Sequence, residues 1–255
     1  MTDKDFSNDY ILITGSSRGI GAETAKQFAA AGAKVAVHYH QNKAAGQATV
    51  ASLTGDGHVL LQADVADPLA ARQLVQDAHA ALGGLTILVN NAGVFVPHPL
   101  EEQPFEEWFA RWQRTLNTNL TGAAVAAYTA VEYMRTQGHG KIINVGSRGA
   151  FRGEGRQPGY GASKAGLHAF GQSLAQALGG SGITVHSVAP GFVETAMARP
   201  HLQGAAGEAV KQQSPLARVA TVGDVANAIL FLASPQAEFT TGCILDINGA
   251  SYLRT

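Results

Sequence analysis

Short β-branched runs alternate with longer alanine-rich stretches along this chain, and that alternation narrows the folds open to it more than any other feature. The runs are Tyr10–Thr14, Lys34–Tyr39, His58–Ala63, Thr86–Asn90, Lys141–Val145, Ile183–Val188 and Cys243–Ile247. Most are continuously apolar, as expected of parallel strands covered on both faces. Between them the pattern predicts helices over Gly21–Ala31, Ala44–Leu53, Pro68–Leu82, Phe105–Met134, Tyr160–Leu178 and Val222–Leu232. Repeated β-α-β units imply right-handed crossovers and an α/β, doubly wound parallel sheet. No linker, repeat or low-complexity tract divides residues 1–255, so a single domain is expected. The stretch Phe192–Pro215 has no clean period and directly follows a strand end, where ligands bind in such sheets. It reads either as a mobile lid over a substrate or as a surface excursion.

Composition removes several classes of function. The hydrophobic fraction is 45% and only 15% of residues are charged, enough for a sizeable core. Net charge is −1 with no Lys/Arg run, which argues against nucleic acid or an anionic membrane as partner. No segment approaches the roughly 18 apolar residues of a spanning helix. The polar, acidic start MTDKDFSNDY is unlike a presequence, so a cytoplasmic location is expected. The lone Cys243 excludes an intramolecular disulfide and reads as a packed small residue. The histidines show no metal-ligand spacing, and no catalytic metal is predicted.

After the first strand the chain reads Thr14-Gly15-Ser16-Ser17-Arg18-Gly19-Ile20-Gly21 and enters a helix. Glycines let the backbone turn sharply and approach a pyrophosphate, while free N–H groups at the helix start attract its charge. A dinucleotide site is therefore expected over Gly15, Ser17, Arg18, Gly19, Ile20 and Gly21. An NAD site generally has an acid about 20 residues past the glycines, at the end of the second strand. Here the segment is Val37-His38-Tyr39-His40-Gln41-Asn42-Lys43, with no acid. Arg18 could meet a 2′-phosphate, with Tyr39, His40 or Lys43 nearby, so NADP(H) is expected over NAD(H); the alternative for Arg18 is a solvated loop cation. Asp64 and Val65 end the third strand, where the aspartate would accept from an adenine amino group; an acid near Asp67-Pro68 could equally cap the next helix. Asn91, Ala92 and Gly93 follow the fourth strand, where small residues let the backbone pass close to a ribose.

Tyr160 and Lys164, in YGASK, stand four residues apart and so share a helix face. A phenol ordinarily loses its proton near about pH 10, and an adjacent ammonium would favour the phenolate. That pair, following Ser147 by 13 residues, supplies a proton donor or acceptor close to the expected cofactor.

Together these pieces resemble the short-chain dehydrogenase/reductase family over essentially the whole chain. The resemblance rests on TGSSRGIG, ADV at 63–65, NNAG at 90–93, Asn119 in TNLTG, Ser147 in INVGS, YGASK, and PGFVET at 190–195. It implies a Rossmann sheet of seven parallel strands and a tetrad of Asn119, Ser147, Tyr160 and Lys164. It also implies nicotinamide contacts from Pro190, Gly191, Val193 and Thr195. In the implied reaction Tyr160 is the acid, Ser147 donates to the same carbonyl oxygen, Lys164 supports the phenolate and the ribose, and Asn119 holds a water. Two departures are Gly146, where a serine is more frequent, and NGA at 248–250 for NGG.

The loop from Ser147 to Tyr160 carries Arg148, Arg152 and Arg156, which could meet a substrate anion or simply be solvated. Small apolar faces at Leu120, Ala124, Ala127, Val131 and Met134, and at Ala162, Ala165, Ala169, Phe170, Ser173, Leu174 and Ala177, read as an interface or as a wide internal core. The resemblance implies a homodimer or homotetramer. The leading expectation is NADPH-dependent reduction of a carbonyl in a small molecule, possibly carrier-linked, and most like 3-oxoacyl-(acyl-carrier-protein) reductases. Alternatives are oxidation of a sugar, steroid or xenobiotic alcohol, or a non-catalytic dinucleotide-sensing scaffold that would not need Tyr160 and Lys164. Enoyl reductases of the family space their Tyr and Lys more widely.

Overall fold

A computed structural model describes residues 5–199 and 202–254. Seven strands form one parallel sheet: β1 (Tyr10–Ile13), β2 (Lys34–Tyr39), β3 (Val59–Gln62), β4 (Ile87–Asn90), β5 (Gly140–Val145), β6 (Ile183–Pro190) and β7 (Ile244–Ile247). Their spatial order is β3-β2-β1-β4-β5-β6-β7. Ile11 pairs with both Val35 of β2 and Ile87 of β4, so β1 is fully flanked. The chain leaves β1 in one direction for β2 and β3, and returns to its other side for β4. Such a switch point opens a crevice beyond the carboxyl ends of β1 and β4.

Side chains alternate across the sheet and build two cores. Ile11 and Ile13 pack with Phe28 of α1 (Gly19–Ala30) and Ile229 of α9 (Val222–Leu232). Leu12 faces the other layer, with Leu74 of α3 (Pro68–Leu82) and Ala130 of α5 (Gly122–Gln137). Local signals set the helix ends. The Asp67 carboxylate accepts from the N–H groups of Leu69 and Ala70, Pro68 occupies the first turn, and Gly83 closes α3 in the left-handed region. Asp67 therefore takes the capping role, and Asp64 is left for other duty.

Three stretches differ from expectation. The helix predicted over Phe105–Met134 is broken into α4 (Phe105–Leu116) and α5 by a π-helical turn at Asn117–Thr121. There the helix meets the end of β3 so closely that a side chain at Gly122 would overlap the Val65 carbonyl. Gly149–Arg152 form a short helix, α6, before the long α7 (Pro158–Leu178). Phe192–Pro215 is not structureless: it contains α8 (Gly204–Lys211), while Val193 bridges to Ala220. Pro200 and His201 of that stretch lie outside the described residues. The remaining helix, α2 (Lys43–Ala51), is capped by Asn42. Of the small-residue faces, Ala162, Ala165, Ala169, Ser173 and Ala177 of α7 are exposed, but Ala127 and Met134 are buried in the chain's own core.

Candidate active site

The turn after β1 is fixed by groups from three other strands. The Gly15 N–H donates to His38 Nδ1 at 2.8 Å, and His38 Nε2 lies 3.1 Å from the Ala63 carbonyl. This arrangement needs a neutral ring with its proton on Nε2. Burial favours that form, pulling the His38 pKa down to about 4. Ser16 Oγ donates to the Ile13 carbonyl and accepts from the His38 N–H. On the other side, Thr14 Oγ1 accepts from the N–H groups of Asn91 and Ala92, both at 3.0 Å. Asn91 Nδ2 returns to the Thr14 carbonyl at 2.8 Å. Gly15 has φ +66°, and a Cβ there would sit 2.9 Å from Ala92 Cα. No side chain caps α1, so its first N–H groups are free for an anion.

A cavity of about 800 Å³ extends from this turn to the catalytic residues. Gly15, Ser17, Arg18, Gly19 and Ile20 line it from the turn, and His40, Asp64 and Val65 from the ends of β2 and β3. Asn91, Ala92 and Gly93 line it after β4; Ser147, Tyr160 and Lys164 form the far wall. Pro190, Gly191, Val193 and Thr195 close it after β6. Two expected cofactor residues fall elsewhere. Tyr39 is buried on the opposite face of β2, its hydroxyl donating to Gln62 Oε1, because neighbouring strand residues point to opposite sides. Gly21 lies behind the turn, where a Cβ would come within 2.6 Å of Asn91 Nδ2; its task is packing.

The cavity suits an adenine dinucleotide phosphate. Its ribose end presents Arg18, His40, Gln41 and Asn42, with no acid on β2. The Asp64 carboxylate is 3.5 Å from His40 Nε2 and also accepts from the Ala66 N–H. A side chain at Gly15, which lines this cradle, would collide with Ala92. Lys43, considered for the same end, is not among the lining residues.

At the catalytic end, Lys164 is buried and donates from Nζ to the Val145 carbonyl at 2.8 Å, with Nζ 5.9 Å from the Tyr160 ring centre. Burial lowers the Lys164 pKa to about 8. The expected lowering of the Tyr160 pKa is not found. Burial raises it, the Ser147 hydroxyl offsets part of that, and Glu154 adds to it. The phenol is therefore held neutral. Ser147 Oγ accepts from the Gly149 N–H at 3.0 Å, which leaves its own proton to donate outward.

Asn119 does not line the cavity. Its amide pairs with Val94 in both directions, Oδ1 accepting at 2.8 Å and Nδ2 donating at 3.0 Å, and Nδ2 also reaches Ser163 Oγ. Ser163 donates on to the Tyr160 carbonyl at 2.8 Å. The π turn thus ties the loop after β4 to α7. Several contributors escaped sequence reasoning. His98, fully buried, bonds the Val96 carbonyl and accepts from the Gly159 N–H at 2.9 Å, pinning the start of α7. Phe95 packs edge-on against the Tyr160 ring with centres 4.7 Å apart. His38 had one usable signal, a polar residue inside an otherwise apolar strand.

The comparisons with known proteins agree with this geometry. A family model described as enoyl-(acyl carrier protein) reductase matches residues 15–250. The 3-oxoacyl-(acyl-carrier-protein) reductase FabG of Escherichia coli K12 is 36% identical over 250 residues, covering 98% of this chain and 99% of its own length. A 3-oxoacyl-(acyl-carrier-protein) reductase of Synechocystis is 36% identical over 95% of this chain and 96% of its own. Among solved structures, a short-chain dehydrogenase from Burkholderia cenocepacia in complex with NADP aligns with a TM-score of 0.85 and 36% identity, covering 95% of this chain and 97% of that one. A dehydrogenase/reductase from Sinorhizobium meliloti aligns with a TM-score of 0.88 and 33% identity, covering 99% and 98%.

Proposed function

Because this chain belongs to the short-chain dehydrogenase/reductase family, we propose that it reduces a carbonyl to a secondary alcohol with NADPH, the acceptor being a 3-oxoacyl thioester. The observation that carries the reading is the single cavity in which the glycine turn faces Ser147, Tyr160 and Lys164. A bound NADPH supplies the hydride. The residues of the chain then bind, orient and protonate. Arg18 and His40, which line the cavity, would hold the 2′-phosphate, and Thr195 faces Gly19 across the cavity, where a Cβ on that glycine would be 3.5 Å from its methyl. Ser147 donates to the carbonyl oxygen, strengthening as charge develops there. Tyr160 enters the step as a neutral phenol and gives its proton to the same oxygen. Lys164 keeps two N–H groups beyond the Val145 bond, one for the phenolate that forms and one for the ribose.

Asn119 Oδ1 and Lys164 Nζ come near one another at Gly93, 3.4 and 3.5 Å from its Cβ position, and a water between them would return the proton. The family description names an enoyl reductase, but the four-residue step from Tyr160 to Lys164 on one face of α7 favours carbonyl reduction. A homodimer or homotetramer is part of the same proposal, supported by the exposed small face of α7 and by Phe239 beside β7. Among the described residues no helix is long and apolar enough to cross a membrane.

The test is loss of NADPH absorbance against a panel of 3-oxoacyl thioesters, ketones and sugars. Turnover of thioesters is expected. No thioester turnover would remove the substrate class, and a preference for NADH above about tenfold, or 1.4 kcal/mol, would remove the cofactor choice.

A further inference from the structure

We infer that the substrate carries a carboxylate close to its reacting carbonyl, and that Arg148 receives it. The inference rests on the reading of Ser147 and Tyr160 as the carbonyl-reducing pair, and the carboxylate meant is a free one on the acyl chain, not the carboxyl that a thioester blocks. Three arginines lie between those residues, and the structure separates them. Arg156 forks onto Glu102 at 2.7 and 2.8 Å, and Arg152 lies 3.7 Å from Glu154. Arg148 is the buried member, only 3% exposed, and among the described residues no carboxylate lies within ion-pairing distance of it.

The groups bonded to Arg148 are neutral, and of the charges that act on it Arg152 is positive and Glu154, which lines the same cavity, is negative. Its guanidinium donates to Ser251 Oγ and, at 2.7 Å, to Gln213 Oε1, and it lies over the Phe192 ring at 5.2 Å. Arg152 reaches the same Gln213 oxygen at 3.5 Å, adding positive charge. Every nearby acid already has its own arginine. Glu154 has Arg152, Asp224 has Arg218 at 2.7 Å, and Asp246 has Arg254 at 2.7 Å. A guanidinium offers five N–H donors, and two are used. A buried cation without a counter-charge is costly, and its planar fork matches a carboxylate.

Its position makes that match useful. Arg148 follows Ser147 directly and lines the catalytic cavity, and it also lines a second cavity of about 330 Å³ behind Phe192. Of the three arginines it alone lines the catalytic cavity, so an anion held by it shares that cavity with Ser147 and Tyr160. Gln213, just past α8, and Ser251, just past β7, would close over it with Arg148. The phosphate of a carrier arm has the same charge chemistry but sits many bonds from the thioester, so the substrate's own carboxylate is the better occupant.

The experiment compares 3-oxo, 4-oxo and 5-oxo acids with their methyl esters, using the purified full chain and NADPH. The expected result is a preference for the acid of about tenfold or more in kcat/KM at one length, carried in KM. In Arg148→Met the acid-to-ester ratio falls toward parity, and in Arg148→Lys part of it remains. Esters equal to or better than acids at every length in the unaltered protein would overturn the inference, and that measurement needs no variant. So would an acid preference that survives Arg148→Met. Neutral ketones and thioesters assayed in parallel separate the two claims. Their turnover without any acid preference removes Arg148's role and leaves the reductase; no carbonyl turnover at all removes both.

Discussion

The two ends of the cavity are built differently. At the cofactor end, glycines are wedged against backbone. A Cβ at Gly15 would meet Ala92 Cα at 2.9 Å, and one at Gly21 would meet the Gly15 carbonyl at 2.8 Å. At the substrate end, Gly153, Gly155 and Gly204 would meet nothing within 4 Å, and Gly159, under His98, and Gly207, against the Leu202 backbone, are tight exceptions. The bonds follow the same division. The glycine turn is held by short hydrogen bonds from His38, Thr14 and Asn91, with backbone groups at one end of each. The substrate side is held largely by long side chains, Arg156 on Glu102 and Arg148 on Gln213. A cofactor of fixed shape calls for a rigid cradle, whereas a substrate wall of side chains can change without moving the backbone.

Tyr160, where the two ends meet, gives the largest expected effect. Tyr160→Phe keeps the ring against Phe95 but removes the proton donor. Turnover should fall by about 10²- to 10⁴-fold, while circular dichroism and NADPH binding stay near those of the parent. Near-full activity would end the proposed mechanism.

A matched pair of glycine substitutions tests the comparison itself. Gly15→Ala forces a side chain into Ala92 at positive φ, so NADPH affinity should drop by about tenfold or more, with a lower melting temperature. Gly155→Ala meets open space and should leave both unchanged within error. Equal losses in the two variants would show that the substrate loop is as tightly specified as the cradle.

The fold was readable because parallel strands buried on both faces announce themselves as continuous apolar runs; β2 and α3 have the predicted ends. The Tyr160–Lys164 pair was readable because helical spacing alone puts both on one face. Tyr39 was misplaced by a matter of parity: His38 and His40 point to the glycine turn and the cavity, so Tyr39 between them points to α2, beside Gly46. The π turn was invisible because its cause, the contact of Gly122 with Val65, joins residues far apart in sequence. In α8, Gly204-Ala-Ala-Gly207-Glu-Ala-Val offers too little apolar side chain to show a period. The phenol's shift was read with the wrong sign because charge was weighed without burial.

Gly146 marks the boundary between the ends and gives an intermediate effect. A side chain there would overlap the buried imidazole of His168, which lies one turn beyond Lys164 and stacks on Phe151. Neither His168 nitrogen has a hydrogen-bond partner of good geometry. Glycine and histidine thus share one volume. Gly146→Ser should cost about 1–3 kcal/mol by overpacking, with a matching loss of turnover. Gly146→Ser with His168→Ala should be more stable than the sum of the two single changes predicts. Strict additivity would show that the two sites do not compete for space.

The last effect concerns acid. His38 is neutral in the folded chain with a pKa of about 4, against the ordinary 6.5. A depressed value means that its contribution is complete above pH 6.5 and is lost as pH falls through 4, because the unfolded chain then binds the extra proton. A second proton on the ring would also point Nδ1–H at the Gly15 N–H, in conflict with the bond that shapes the turn. The linked loss is at most about 3 kcal/mol, and His168, depressed to about 4 as well, adds in the same direction. His38→Asn keeps an acceptor on that strand position without a titrating group. Its melting temperature should therefore fall less steeply than the parent's between pH 7 and pH 4.5, with residual slope from His168. Parallel curves for parent and variant would mean that His38 does not carry the acid sensitivity of the cradle, and that its bond to Gly15 survives protonation by moving.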